Sequence, residues 1–241
     1  MVKRQAIIGP EMPGAAAPSP VGTRPTLHDL RFRTLLGASA WSLLPPAVRA
    51  RFSTRLAAGA AVTYAGTVVQ SRRTAIGRLV ASLSRLIGGP LPLHDDVGVP
   101  AVVTVTEDGA SGGQFWTRMY GRKRGFPQVI HSSKRFAGPT GLEEYLGCGF
   151  GIALTVSADT QALHFHSDHY FLSAGPLRLA LPRWLEPGAL TISHVDFGGD
   201  WFAFVLVLQH KLLGEIISQA CMFRERPAPL PVQLHEEIRH D

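Results

Sequence analysis

The sequence has few cysteines, which excludes a small scaffold held together by disulfides. Only Cys148 and Cys221 occur in 241 residues, and neither belongs to a C-x-x-C pair. Each thiol lies among apolar residues, in LGCGF and ACMFR, so we expect both to be buried and unreactive. This cysteine usage is typical of a protein in the reducing cytoplasm.

Long hydrophobic runs are also missing. The longest, WFAFVLVL at 201–208, is too short to cross a bilayer as a helix. The N-terminal MVKRQAIIGPEMPG lacks the apolar core of a secretory signal. The sequence therefore predicts a soluble, cytoplasmic protein without a transmembrane helix. No G-x-G-x-x-G follows a strand pattern, and we expect no cofactor.

The charge balance is moderately basic. Lys plus Arg total 24 against 18 for Asp plus Glu, a net charge of +6 with neutral histidines. This excess is typical of an ordinary soluble surface, although it also suits peripheral contact with an anionic membrane. RMYGRKRGF at 118–126 mixes basic and aromatic residues as single-strand binders do, but its glycines indicate a hairpin tip with exposed charge. Nucleic-acid binding is therefore not expected.

Composition divides the chain into one domain and two tails. Residues 9–26 hold five prolines among small residues, a composition that does not bury enough apolar surface to order itself. We predict a flexible tail over 1–26, a single domain over 27–226 and a second tail over 227–241. With 45% hydrophobic residues, the central part has enough apolar side chains for a large core.

The first part of the domain has helical signals. We predict helices over 27–37, ended by Gly37, over 45–53, and over 71–89, ended by two glycines. The third has the clearest apolar stripe, and Arg72, Arg73, Arg78 and Arg85 lie off it. Such a stripe usually packs on a sheet, and the alternative is a basic amphipathic helix on a membrane surface. The stripe consists of Ile76, Leu79, Val80, Leu83, Leu86 and Ile87.

After Pro92 the pattern changes to short β-like segments separated by Gly, Pro, Asp or Ser. Ten such segments follow one another without long helices between them, which favours an antiparallel meander over a parallel sheet. The fold class is predicted as α+β. N-terminal helices precede eight to ten strands, which form an open or closed barrel around or against a helix.

HFHSDH at 164–169 has the spacing H-x-H-x-D-H, which resembles the zinc signature of the metallo-β-lactamase hydrolases. On a strand, however, His164, His166 and Asp168 share one face, while His169 points the other way with Phe165 and Phe171 toward the core. The ligands then fail to converge on one ion. We expect no metal; a zinc site of His164, His166, Asp168 and His169 is the disfavoured alternative.

Taken along its length, the chain resembles the bacterial domain-of-unknown-function family 4166. The segments that carry this resemblance are LLGASAWSLLPPAVR (35–49), 64–92, FWTRMYG (115–121), EEYLGCGFGIAL (143–154), 181–208 and LLGEIISQ (212–219). The family resemblance implies a domain that occurs alone or fused behind a saccharopine-dehydrogenase-like NAD(P)-binding domain. It also implies that the strand around HFHSDH is structural.

Several polar residues would face the concave side if the sheet curls. The alternation of strands places Trp116, Arg118 and Tyr120 on one face, and the guanidinium of Arg118 suits a carboxylate or phosphate. His194 suits a hydrogen-bonding or base role. The alternative is structural: an Arg118–Glu144 ion pair and a strand end capped by His194 and Asp196. The candidate ligand-binding residues are Trp116, Arg118, Tyr120, Glu144, His194, Asp196, Glu215 and Gln219.

Three functions follow from these patterns. The leading hypothesis is a non-catalytic module that binds a hydrophobic or amphipathic small molecule such as a lipid, because WFAFVLVL is apolar on both faces and so is covered on both. The second is an accessory domain for an NAD(P)-dependent oxidoreductase partner, as the family resemblance implies. The third is an enzyme: a zinc hydrolase, or an acid–base catalyst using His194, Asp196 or Glu144. We expect binding rather than catalysis.

Overall fold

The structure, a computed structural model, describes residues 27–56, 60–175 and 177–224. The tails predicted over 1–26 and 227–241 lie outside the described residues. The helices are α1 (Arg31–Leu43), α2 (Pro46–Phe52), α3 (Ala75–Leu83) and a 3-10 helix (Ser84–Ile87). The strands are β1 (Leu27–His28), β2 (Thr54–Arg55), β3 (Ala61–Arg73), β4 (Pro100–Asp108), β5 (Gly113–Tyr120), β6 (Gln128–Arg135), β7 (Glu143–Gly147), β8 (Phe150–Ala158), β9 (Ala162–Ala174), β10 (Leu177–Ala180), β11 (Ala189–Gly198), β12 (Trp201–His210) and β13 (Gly214–Arg224).

Ten of these strands form a closed antiparallel barrel. Its order is β9-β11-β12-β13-β3-β4-β5-β6-β7-β8, and the pairing of β8 with β9 closes it. Strand β10 pairs with the second half of β9, beyond the part that pairs with β11. Closure removes the exposed edges that an open sheet would present. The α+β prediction with N-terminal helices and a barrel is confirmed.

Helices cover the two ends of the barrel. At one end, Phe32 of α1 lies 6.0 Å from Phe165 between ring centroids, and Phe52 of α2 lies 5.2 Å from His194. At the other end, α3 and the 3-10 helix lie over the ends of β12 and β13. We call these the α2 end and the α3 end. In the part of the chain that the structure describes, no helix has the length and apolar character needed to span a bilayer.

The ten segments predicted as strands correspond to β4–β13. The strand β3 was not predicted: residues 61–70 were assigned to no element, and Ser71–Arg73 were included in the third predicted helix. That helix begins only at Ala75. The first predicted helix also differs. It begins at Arg31, and the chain continues as helix beyond Gly37, which forms a kink with φ of 77°.

The apolar stripe of the third helix packs on the barrel only in part: Val80 packs against the core and Ile87 is half-buried. The small residues Gly77 and Ala81 are the buried positions of α3. Ile76, Leu79 and Leu83, and Leu86 in the 3-10 helix, are exposed. The helix contacts the barrel through Gly77, Ala81 and Val80, and the two small residues allow close approach. Most of its large apolar side chains therefore remain exposed.

Candidate functional site

The barrel lumen contains three adjacent cavities. The α3-end cavity has a volume of about 480 Å³, the central cavity about 40 Å³ and the α2-end cavity about 360 Å³. Arg118 lines both the α3-end cavity and the central one, and Trp116 lines both the central cavity and the α2-end one. The lumen is therefore a series of spaces that runs from one helix-covered end to the other.

The α3-end cavity is the most apolar of the three. Side chains of β8, β11, β12 and β13 form its inner wall, among them Ile152, Leu190, Leu208 and Ile216. The face of α3 and the 3-10 helix covers part of it. Cavities of a few hundred Å³ with mainly apolar walls and a few polar groups are typical of small-molecule sites. Arg118 and Glu144 line its inner end, and Ser84, Glu186 and His210 line it from the segments at the helix-covered end.

A buried charged cluster occupies the middle of the lumen. Glu144 on β7 accepts hydrogen bonds from Lys134 Nζ at 2.7 Å and from Ser132 Oγ at 2.6 Å, both on β6. Arg118 on β5 donates from Nη2 to Glu144 Oε1 at 3.1 Å and also to Ser132. Lys134 Nζ also lies 5.0 Å from the centre of the Trp116 ring. Three adjacent strands thus place two cations around one carboxylate.

Electrostatics within this cluster favour the ionised carboxylate. Burial alone would raise the pKa of Glu144, but Lys134 and Arg118 outweigh burial and lower it to about 2. Burial lowers the pKa of Lys134, and Arg118 acts in the same direction, while Glu144 opposes both. With Glu144 ionised, Arg118 and Lys134 leave the cluster with a surplus of one positive charge when the lysine is protonated.

The α2-end cavity has a different character. His194 is buried among aromatic rings and stacks on Phe202 with centroids 4.8 Å apart. Burial, and then the nearby Arg51, lower the pKa of His194 to about 3. Its imidazole is therefore neutral at physiological pH. Among the described residues, its buried Nδ1 has no hydrogen-bond partner.

The structure brings five of the eight candidate residues to the centre of the lumen. Arg118 and Glu144 are joined as described, and Trp116, Tyr120 and Gln219 line the central cavity. His194 lies toward the α2 end. Asp196 lies 3.9 Å from Arg51 between their closest charged atoms.

Glu215 is not part of the lumen, although it was predicted with Gln219 among the residues of the concave side. A register shift between β12 and β13 leaves Ile216 without a partner, so alternation is interrupted between the two residues. Glu215 is exposed and accepts a hydrogen bond from Ser218 Oγ at 2.7 Å.

Two members of the charged cluster were not predicted, Ser132 and Lys134. They occupy alternate positions of QVIHSSKR on β6 and both point inward with Ile130. The alternation of side chains along β6 could have placed both residues on the face of Ile130. A lysine is rarely buried, however, so the usual expectation is that its side chain is exposed to solvent. The pairing of β6 with both β5 and β7 is what identifies Lys134 as a partner of Glu144.

The histidines of HFHSDH lie on the outer surface of the barrel in a cross-strand hydrogen-bonded ladder. His164 Nδ1 bonds Ser193 Oγ at 2.7 Å, and its Nε2 bonds Asp159 Oδ2 at 3.0 Å. His166 bonds Thr191 at 3.2 Å and Ser157 at 2.8 Å. Within the described part of the chain, no three His, Cys, Asp or Glu residues are grouped as metal ligands would be.

The predicted alternation of this strand fails after Asp168. The register with β8 shifts there, so Asp168 is the extra residue of a bulge. Tyr170 then turns into the lumen, where its hydroxyl donates to Gly188 O at 3.1 Å. His169 and Phe171, which were predicted to face the core, lie on the outer side, where the guanidinium of Arg178 covers the Phe171 ring.

The two cysteines differ in environment. Cys221 is buried, as predicted, and burial raises the pKa of its thiol to about 12. Cys148 is exposed, contrary to the prediction, because it forms the tight turn between β7 and β8 with a φ of 48°. The flanking apolar residues indicated burial, but the turn geometry places this thiol outside.

The sequence comparisons agree with the family resemblance. The family model described as "Domain of unknown function (DUF4166)" matches residues 44–223, which include all of the barrel strands except the last residue of β13. No curated protein and no solved structure matches the chain.

Proposed function

The chain belongs to the DUF4166 family, and from the geometry of its lumen we propose that it binds a monoanionic amphipathic lipid of the fatty-acid type. The apolar chain of the lipid occupies the α3-end cavity, and its anionic group lies beside Arg118 and Lys134. The observation that carries this proposal is a buried cluster of two cationic side chains around one carboxylate: Arg118 and Glu144 line the inner end of this apolar cavity, and Lys134 lines the adjacent central cavity.

The cavity supports the apolar part of the ligand. Its volume of about 480 Å³ is in the range of small-molecule sites. Leucine and isoleucine side chains form most of its wall, including Leu190, Leu208 and Ile216. An apolar chain gains free energy by leaving water for such a wall, and a polar ligand of the same size would leave its hydrogen-bonding groups unsatisfied there.

The charged cluster supports the anionic group. Burying a cation without a counter-ion is costly, and Glu144 is one carboxylate shared between Arg118 and Lys134. Among the described residues, the buried Arg118 Nε has no hydrogen-bond acceptor. A ligand carboxylate provides a second negative charge beside the two cations and an acceptor for Arg118, and charge-assisted hydrogen bonds of this kind are stronger than neutral ones.

Acid–base catalysis is less well supported than binding. Glu144 has a pKa near 2, so it does not donate a proton at neutral pH. His194 lies at the α2 end, among the rings of Phe52, Phe202 and Phe204. Its pKa near 3 makes it a weak base. Cys221 is a neutral thiol rather than a nucleophilic thiolate.

The test compares a fatty acid with the fatty alcohol of the same chain length, by displacement of a fluorescent fatty acid from the full chain. We expect the acid to bind at least about ten-fold more tightly, as a hydrogen bond to a charged group contributes roughly 1.5–3 kcal/mol. The variant Lys134→Met should lose most of this difference and keep the Arg118–Glu144 pair. Arg72→Met, on an exposed part of β3, is the matched control and should keep it.

Two results would contradict the proposal. One is equal affinity for the acid and the alcohol in the unaltered protein, which would show that the charged cluster does not contact the ligand. The other is the absence of any displacement by either compound, together with no lipid in an organic extract of the purified protein. Circular dichroism should confirm that Lys134→Met is folded before its affinity is interpreted.

A further inference from the structure

The mouth of the α3-end cavity is surrounded by exposed apolar side chains. Five residues both line the cavity and are between 43% and 78% exposed. They come from three separate parts of the fold: α3 with the 3-10 helix, the segment after β10, and the turn between β12 and β13. They are Ile76, Leu83, Leu86, Leu185 and Leu213.

The apolar surface extends beyond the mouth on the same three segments. Leu79 is 58% exposed, Trp184 is 81% exposed and Leu212 is 88% exposed. We call these three residues and the five at the mouth the mouth patch. Single exposed leucines are ordinary, but a contiguous apolar surface around a cavity marks an interaction site.

Basic residues accompany the mouth patch. The segments 75–87, 181–187 and 210–216 contain Arg78, Arg85, Arg183 and Lys211, all exposed, against Glu186 and Glu215. Arg78 also lies 3.9 Å from Asp95. Arg183 directly precedes Trp184, and Lys211 directly precedes Leu212. Cations next to exposed leucine and tryptophan are the combination that binds anionic bilayer interfaces.

We propose that the mouth patch docks on an anionic phospholipid bilayer, with the α3-end cavity open toward the acyl chains. The leucines and Trp184 enter the interfacial layer, and the four basic residues contact lipid phosphates. This inference rests on the proposed function, because docking gives an amphipathic lipid a path into the lumen that avoids water. The basic rim and the apolar cavity that it surrounds favour a membrane over a second copy of the chain or a protein partner.

The experiment is co-sedimentation of the full chain with vesicles of phosphatidylglycerol and, separately, of phosphatidylcholine. We expect binding to phosphatidylglycerol that weakens as salt is raised. Leu86→Asp should lower this binding by about ten-fold or more. The double variant Arg85→Gln/Lys211→Gln should lower it about thirty-fold, since each basic residue at an anionic surface contributes about 1 kcal/mol.

Matched controls come from the opposite end of the barrel. Phe197 is exposed near the end of β11, and Arg224 is exposed at the end of β13. Both positions lie toward the α2 end, because their neighbours Phe202 and Phe223 pack there with His194 and Phe204. Phe197→Asp and Arg224→Gln should bind vesicles as the unaltered protein does.

The outcomes separate docking from lipid binding. Displacement of a fluorescent fatty acid in solution without any vesicle binding would overturn the docking proposal and leave the lumen proposal intact. Vesicle binding that depends on Leu86, in a protein that takes up no fatty acid, would support docking and contradict the lumen proposal. A dimer in solution that Leu86→Asp dissociates, with no vesicle binding, would overturn docking and assign the mouth patch to a second copy.

Discussion

Lys134 Nζ lies 2.7 Å from Glu144 Oε2, and both side chains are buried inside the barrel. The other oxygen of the same carboxylate accepts from Arg118 and Ser132. The three charges are therefore not equivalent. Glu144 has two cationic partners, whereas Arg118 and Lys134 share the single carboxylate of Glu144. Removing the carboxylate and removing one cation should have different consequences for stability.

We expect Glu144→Leu to lower the free energy of unfolding by roughly 3–5 kcal/mol, because it leaves Arg118 and Lys134 buried without a counter-ion. Lys134→Met should cost less, about 1–2 kcal/mol, because Arg118 continues to neutralise Glu144. Urea unfolding of the two variants measures the difference. Lys123→Met, at an exposed position, is the control and should change stability by about 0.5 kcal/mol or less. Equal losses for Glu144→Leu and Lys134→Met would contradict this asymmetry.

His194 should make the protein less stable as the pH falls. Its pKa is lowered from 6.5 to about 3 in the folded state. As the pH falls through 6.5, His194 therefore becomes protonated in the unfolded chain but stays neutral in the folded chain. The stability that its neutral form contributes is complete above pH 6.5 and declines below it, by up to about 1.4 kcal/mol per pH unit. Unfolding curves between pH 6.5 and 5 measure this slope, because carboxylates ordinarily titrate at lower pH and contribute little to it there.

His194→Phe should remove the largest part of that slope, since Phe52, Phe202 and Phe204 already surround the position with aromatic rings. Burial also lowers the pKa of His94 and of His166, so these two residues should retain a smaller slope. The control is His28→Gln, at an exposed position of β1, which should retain the slope. An unchanged slope in His194→Phe would mean that another group is responsible for the acid sensitivity.

The sequence predicted the strands and the barrel more accurately than it predicted which side chains face the lumen. Strand boundaries follow from glycines, prolines and alternation, which are local. The direction of a side chain also depends on bulges, and the two at Asp168 and Ile216 arise from pairing with other strands. As a result Tyr170 lies inside, and Glu215 lies outside, against expectation. The burial of Lys134 likewise depends on Glu144 on the neighbouring strand.

His164 and His166 should contribute to stability and not to metal binding. Each ring forms two hydrogen bonds with residues of its own hairpin or the neighbouring strands. We expect His164→Ala and His166→Ala each to cost about 0.5–1.5 kcal/mol. Zinc measured by mass spectrometry of metals should be equally low in both variants and in the unaltered protein. One zinc per chain, lost in His166→Ala, would restore the hydrolase hypothesis.

Gly77→Ala tests how α3 is attached to the barrel. The bulge in β13 leaves the carbonyl of Ile216 available, and Thr74 N donates to it at 3.0 Å just before α3 begins. A Cβ on Gly77 would lie 2.0 Å from this oxygen, which is far inside van der Waals contact. Helix propensity alone predicts that alanine would stabilise α3 by about 1 kcal/mol.

The clash should outweigh this gain, because the neighbour is backbone and moves only if α3 shifts. We expect Gly77→Ala to lower the free energy of unfolding by about 1–3 kcal/mol and to weaken fatty-acid binding, since α3 covers the α3-end cavity. Ser82→Ala, at an exposed position of the same helix, changes propensity without a clash and should be neutral or slightly stabilising. Urea unfolding and the displacement assay measure both effects, and a stabilised Gly77→Ala would show that α3 is not held against the Ile216 carbonyl.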